Sequence, residues 1–362
     1  MFYHFLYPLK EYWAVFNVFK YITFRSVGSS VTAFLICTLC GQYCIQFLKS
    51  LGAVEPTGRE HAPQLDPLYQ HKHSIPSMGG ILIIGAVLVS NLLWGNFSSK
   101  YMVLILTVTI WLGFVGFIDD FVKIKTKSSR GIPAVIKLMG QLILGLILGI
   151  FLYHDPAYQK VLYVPFLKEY VIYLGIFFIP FVVVVIVGSS NALNITDGLD
   201  GLAIGCAVIV AATFSIVSYI SGHSTFAAYL NIAYITQSGE LAVFCASLIG
   251  AGVGFLWFNS YPASVFMGDT GALAIGGAIG AIALFIKKEL LLLIVGGVFV
   301  WEAISVIMQI VGFKLFKKRI FLMAPFHHHL QLNKWHEAKI TVRLWIIAFI
   351  LALIGLGTLK LQ

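Results

Sequence analysis

Two adjacent carboxylates, Asp119 and Asp120, close the run Gly113-Phe114-Val115-Gly116-Phe117-Ile118 and are followed by Lys123 and Lys125. Acids at the C-terminal end of a helix oppose its dipole and repel each other, so at a membrane boundary they call for a cation. The plain alternative is a pair of solvated end-of-helix acids; the chemical one is a metal ligand or general base, with lysines placed to meet phosphate. A third carboxylate, Asp269, stands in Phe266-Met267-Gly268-Asp269-Thr270-Gly271. It either caps the next helix or joins the other two in one site. Three carboxylates without thiolates make an oxygen site that suits Mg²⁺ rather than zinc. Asp119, Asp120 and Asp269 are therefore the expected metal ligands and catalytic acids.

The segment Asn191-Ala192-Leu193-Asn194-Ile195-Thr196-Asp197-Gly198-Leu199-Asp200-Gly201 gathers amides and carboxylates in a glycine-bearing stretch between two apolar runs. N-capping by Thr196 or Asp197 would explain one of these residues. Ligand or metal binding explains Asn191, Asn194, Asp197, Gly198 and Asp200 together, because glycine lets backbone approach a ligand and asparagine reads polar edges. Asn259 lies in the next connection on the same side. Phe266 is either core or a base-stacking platform. Lys137 and Gln141 share one face at the start of a helix, from which Lys137 is expected to reach the site.

His327, His328 and His329 follow Met323-Ala324-Pro325-Phe326. Three successive residues cannot all face one metal, so they read as donors to phosphate oxygens in preference to a merely solvated loop, with His328 the expected catalytic member. Glu302, Ser305 and Gln309 share a helical face, as a functional acid or as a polar interhelical seam.

The elements that must carry these residues are membrane helices. Of 362 residues, 59% are hydrophobic and 11% charged, and mean hydropathy is +0.92. A water-soluble globule of that composition would expose too much apolar surface. Apolar windows predict an all-α bundle of ten spans: Val27 to Leu48, Gly79 to Trp94, Met102 to Ile118, Val135 to Tyr153, Val171 to Val187, Leu202 to Tyr219, Leu241 to Phe258, Ala272 to Ile286, Leu290 to Val311 and Leu344 to Leu359. Residues 1–26, rich in aromatics with Lys10, Lys20 and Arg25, read as an interfacial segment rather than a signal peptide. No linker divides residues 1–362, which are expected to form one catalytic domain.

Charge sets sidedness. The loops after the odd-numbered spans hold 15 of the 24 lysines and arginines, Arg59, Lys127 and Arg130 among them, while the termini and other loops, Lys168 included, hold the rest. Odd loops are thus expected to be cytoplasmic. They carry every polar cluster above, and His71-Lys72-His73 as well. The net charge of +9 is explained by this placement and by anionic lipid, so no nucleic-acid partner is expected. The five cysteines lie in apolar runs with no disulfide or zinc spacing.

The runs Gly116-Phe117-Ile118-Asp119-Asp120, Asn191 to Gly201, Phe255-Leu256-Trp257-Phe258-Asn259-Ser260-Tyr261-Pro262, Phe266-Met267-Gly268-Asp269 and Met323-Ala324-Pro325-Phe326-His327-His328-His329 closely resemble the phospho-N-acetylmuramoyl-pentapeptide transferase family, from about Lys72 to the end of the chain. The resemblance implies a ten-helix, dimeric enzyme of the bacterial inner membrane with both termini periplasmic. Such an enzyme joins UDP-N-acetylmuramoyl-pentapeptide to undecaprenyl phosphate and releases UMP, the first membrane step of peptidoglycan synthesis. It also implies Mg²⁺ at Asp269, catalytic roles for Asp119 and Asp120, and a nucleoside pocket at Lys72, Asn194, Asp197, Asp200 and Phe266. Direct attack by the lipid phosphate and a two-step route through an aspartyl phosphate both remain open. The rival readings are a polyprenyl-phosphate N-acetylhexosamine-1-phosphate transferase and a cation-coupled transporter, whose ionisable groups belong at the bilayer midplane.

Overall fold

A computed structural model describes residues 1–54, 72, 74–126, 128, 131–164 and 171–361. His71, His73, Arg59, Lys127, Arg130 and Lys168 lie outside the described residues. Helices stand at all ten expected places: α1 (Ile22–Ser50), α2 (Gly80–Trp94), α3 (Lys100–Thr126), α4 (Ala134–His154), α5 (Phe178–Thr196), α6 (Leu202–Ser221), α7 (Gly239–Asn259), α8 (Gly268–Phe285), α9 (Gly297–Phe316) and α10 (Glu337–Thr358). Among the described residues nine of these are long and apolar enough to cross a bilayer, and α2, at 15 residues, is a shorter apolar helix. The protein is a multi-pass helical membrane protein.

Four expectations are corrected. α3 does not stop at Ile118 but runs to Thr126, because Lys123 offsets the two acids one turn earlier. The fifth span does not begin at Val171: Val161–Tyr163 (β1) and Val171–Tyr173 (β2) pair antiparallel as a small hairpin, and α5 starts at Phe178. The ninth span is broken at Gly296, which separates a short helix, Glu289–Val295, from α9. Asn191 and Asn194 are not in a loop but in the last turns of α5.

α8 is the axis of the bundle. From Thr270 to Phe285 every residue is buried, and glycine and alanine at its surface let α3, α5 and α2 approach closely. A methyl group at Gly116 of α3 would overlap the Asp269 carbonyl and the Thr270 Cα. That approach sets the acids of α3 against the first turn of α8. α7 packs between α1 and α6 on the other side. At the far end of the bundle, the Arg25 guanidinium of α1 is buried against Glu240 of α7, with contacts of 2.5 and 2.7 Å. The N-terminal segment forms short helical turns before α1, and Phe2, Phe19 and Phe24 pack on Trp94.

Candidate active site

Gly268 has a positive φ of 74°, which glycine adopts without a Cβ penalty. This turn aims the first amides of α8 at α3. There the Asp120 carboxylate accepts from Asp269 N at 3.2 Å, Thr270 N at 2.9 Å and Thr270 Oγ1 at 2.7 Å. An anion on a helix N-terminus satisfies donors that have no intrahelical partner. Asp120, from another helix, therefore does the capping that was the plain alternative for Asp269. Thr196 and Asp197 do not cap α6 either: Gly201 precedes it without a side-chain cap, and Thr196 bonds back to Ala192.

Asp119, Asp120 and Asp269 each present an oxygen within 4.8 Å of the others. Lys123 Nζ sits among them, 2.7 Å from Asp119 Oδ2, 3.0 Å from Asp269 Oδ2 and 3.7 Å from Asp120 Oδ1. Lys137 arrives from α4, 2.5 Å from Asp269 Oδ2 and 3.9 Å from Asp119 Oδ2. Asn194 Nδ2 donates to Asp269 Oδ1 at 2.7 Å. Among the described residues, three carboxylates thus face two ammonium groups, leaving a net negative charge in a largely desolvated place. That donor set fits a hard divalent cation. Asp119 gives one oxygen to Ile132 N at 2.9 Å, so its Oδ2 and Asp269 Oδ2 are the oxygens turned toward the shared centre. Lys125, in contrast, is exposed.

A polar cavity opens beside the acids. Its wall includes Asp120, Lys123, Asn194, Asp197, Gly198, Asp200, Asn259, Phe266, Asp269 and Lys72. Phe266 is half-buried in this wall rather than in the core, with Lys72 Nζ 5.7 Å from its ring centroid. Asn259 braces the wall, accepting from Gly201 N and donating to Val265 O. Lys72 is buried between Asp200 at 2.5 Å and Glu337 at 2.6 Å. Burial works against its charge, but Glu337 and Asp200 outweigh that and hold the ammonium above its ordinary range.

Other expected site residues lie elsewhere. Asn191 bonds Gln141 of α4 at 2.7 Å and bridges two helices away from the cavity wall. The three histidines form a short helix, Phe326–Leu332, and successive helical residues point in different directions. His327 Nδ1 is 3.1 Å from Glu302, with its ring against the back of Gly198. His328 bonds Gln331 at 2.7 Å. His329 accepts from Leu322 N at 3.2 Å and stacks on Phe326. None of the three belongs to the cavity wall. Glu302 and Gln309 form the polar seam that holds this segment, since Gln309 accepts from Ile320 N and Phe321 N. Sequence reading missed Glu337; an acid in the first turn of a helix following a basic loop was its only signal.

Acids and lysines are brought together at one end of a helical membrane bundle, and the comparison with known proteins identifies that bundle as a glycosyl transferase. Residues 102–287 match Glycosyl transferase family 4. The chain is 49% identical to a phospho-N-acetylmuramoyl-pentapeptide-transferase of Thermodesulfovibrio yellowstonii and 47% identical to that of Pelobacter propionicus, each alignment covering 100% of both proteins. The Desulfotalea psychrophila protein of the same name is 49% identical, again over 100% of each chain. The chain belongs to the phospho-N-acetylmuramoyl-pentapeptide-transferase family.

Proposed function

We propose that this enzyme transfers phospho-N-acetylmuramoyl-pentapeptide from UDP-N-acetylmuramoyl-pentapeptide to undecaprenyl phosphate, producing lipid I and UMP with Mg²⁺ as cofactor. The observation that carries this reading is the meeting of Asp119, Asp120, Asp269, Lys123 and Lys137 beside a polar cavity, in a chain related along its whole length to transferases of that name. Both reacting partners are anions, so the reaction needs neutralisation before it needs anything else.

Asp269 and Asp119 would hold Mg²⁺, which would supply positive charge to the diphosphate and to the departing UMP. Lys123 and Lys137, displaced from the carboxylates they now contact, orient the phosphoryl oxygens. Asp120 stays on the α8 N-terminus and keeps Asp269 in register. Asp119, with one oxygen unclaimed by backbone, is the acid that takes the proton of the lipid phosphate or attacks in its place. Lys72, Asn194, Asp197, Asp200 and Phe266 line the nucleoside end. An apolar groove between α5, α8 and α9, lined by Phe181, Val184, Leu193, Ile279, Phe299 and Ile304, suits the polyprenyl tail. Its Leu193 end adjoins Asn194, the partner of Asp269.

Crowding of the lysines and arginines into the loops of the acid-bearing end supports a cytoplasmic active face in the inner membrane. Full-length relatives matched end to end support one catalytic domain, and the family resemblance supports a homodimer. The deciding experiment measures UMP release by the detergent-purified chain with UDP-N-acetylmuramoyl-pentapeptide, undecaprenyl phosphate and Mg²⁺. Release that depends on all three is expected. Turnover of a UDP-N-acetylhexosamine instead would replace the donor, and no release with either would overturn the reading.

A further inference from the structure

α10 presents Glu337, Thr341 and Trp345 at intervals of four, hence on one face. All three grip the turn that precedes α6. Glu337 Oε1 accepts from Asp200 N at 2.8 Å, Thr341 Oγ1 donates to Asp200 O at 3.2 Å, and Trp345 Nε1 donates to Gly201 O at 3.2 Å. The turn so held, Asp197 to Asp200, is the cavity wall. Thr341 and Trp345 are neutral clasps of backbone. Glu337 differs, because the same oxygen accepts from Lys72 Nζ at 2.6 Å while Asp200 Oδ1 takes that ammonium from the other side at 2.5 Å. Asp200 Oδ2 is committed to Ala263 N at 2.9 Å. Glu337 itself is only partly exposed and does not line the cavity.

We propose that Glu337 is a positioning residue for the nucleotide-sugar: it fixes Lys72 and the Asp200 turn, and with Asp200 it overbalances the Lys72 charge so that this end refuses phosphate. Among the described residues, one ammonium between two carboxylates carries a net negative charge in a buried place. A diphosphate is repelled from such a group and attracted toward Lys123 and Lys137. The nucleotide is thereby admitted in one direction only, uridine toward Lys72 and phosphates toward the acid cluster. Without the second carboxylate, Lys72 would be an ordinary cation competing for the phosphates at the wrong end of the pocket.

This inference rests on the proposed transferase reading, and full-length protein in detergent tests both. Glu337→Gln keeps a hydrogen-bond acceptor and removes the charge; Glu337→Asp keeps the charge and shortens its reach. For Glu337→Gln, KM for UDP-N-acetylmuramoyl-pentapeptide should rise about tenfold, as for loss of a charged hydrogen bond. Its kcat should fall less than about threefold, KM for undecaprenyl phosphate should hold, and thermal unfolding should shift little. Glu337→Asp should recover part of the donor KM. An unchanged donor KM in Glu337→Gln overturns the inference, and so does an equal rise in both KM values accompanied by a lower unfolding temperature, which would mark a merely structural clasp. If Glu337→Gln does not fold, a wild-type donor KM in Glu337→Asp with its shortened carboxylate overturns it, and a raised one supports it. A wild-type enzyme without turnover removes the transferase reading itself, whereas an active wild type with insensitive variants removes only this inference.

Discussion

Asp120 of α3 accepts three hydrogen bonds from Asp269 and Thr270 at the start of α8. Among the described residues the acid adjacent to it, Asp119, bonds the backbone once, at Ile132. Adjacent carboxylates therefore have different duties, and substitution should separate them. Asp120→Asn is expected to lower stability by about 1–2 kcal/mol through the lost anionic cap, as well as turnover. Asp119→Asn should abolish turnover with a nearly native unfolding temperature. Thermal unfolding in detergent beside UMP release checks the pair, and equal destabilisation by both would contradict the division.

Asp269→Asn removes the carboxylate on which Lys123, Lys137 and Asn194 converge. Activity should fall roughly 100-fold or more. Chelation by EDTA should stop the wild type, and excess Mg²⁺ should restore it. Full activity in EDTA would show that lysines alone neutralise the reacting phosphates.

Gly116→Ala tests the approach of α3 to α8. The methyl group would meet backbone of Asp269 and Thr270, not a side chain that can turn aside. A loss of about 1–3 kcal/mol should come with reduced turnover, since separating these helices also separates the acids. An active, equally stable variant would mean that the helices have room to part.

Lys72 gives a pH expectation. Its folded value is held above the ordinary 10.5, so the stabilisation from its ion pairs is complete below that pH and is lost only as pH rises through the folded value. Affinity for a non-hydrolysable UDP-sugar should stay flat between about pH 7 and 10 as far as Lys72 is concerned. A decline centred near pH 8 that Lys72→Met removes would contradict the assignment.

At the opposite end, Arg25 and Glu240 are buried together, and Glu240 also accepts from Asn96 N. Arg25→Met alone should cost about 3–5 kcal/mol by leaving an unpaired buried acid, and Arg25→Met with Glu240→Leu should recover most of it. Thermal unfolding of both variants reads the difference.

The spans and the acid cluster were legible because apolar length marks a membrane helix and because carboxylates beside apolar runs are conspicuous. The same reasoning placed Lys137 on the face that reaches Asp269. Helical turns beyond the apolar stretch are invisible to such a reading, so α3 was ended at Ile118 and Asn191 and Asn194 were assigned to a loop. The break at Gly296 was hidden because apolar residues continue on both sides of it. The histidine run was read as a set of phosphate donors, and the short helix Phe326–Leu332 turns each ring toward a different neighbour, His327 toward Glu302 and His328 toward Gln331. Glu337 escaped notice since its partners, Lys72 and Asp200, are distant in the chain, and nothing local marks a charge whose counterpart lies in another element.

α3 continues for seven residues beyond Asp119, a rise of about 10 Å, while α8 begins only at Gly268 and α2 at Gly80. The acid cluster thus lies about two helical turns below the end of the longer helix. For the proposed reaction, the water-borne donor is expected to descend past that end of α3 to reach the carboxylates.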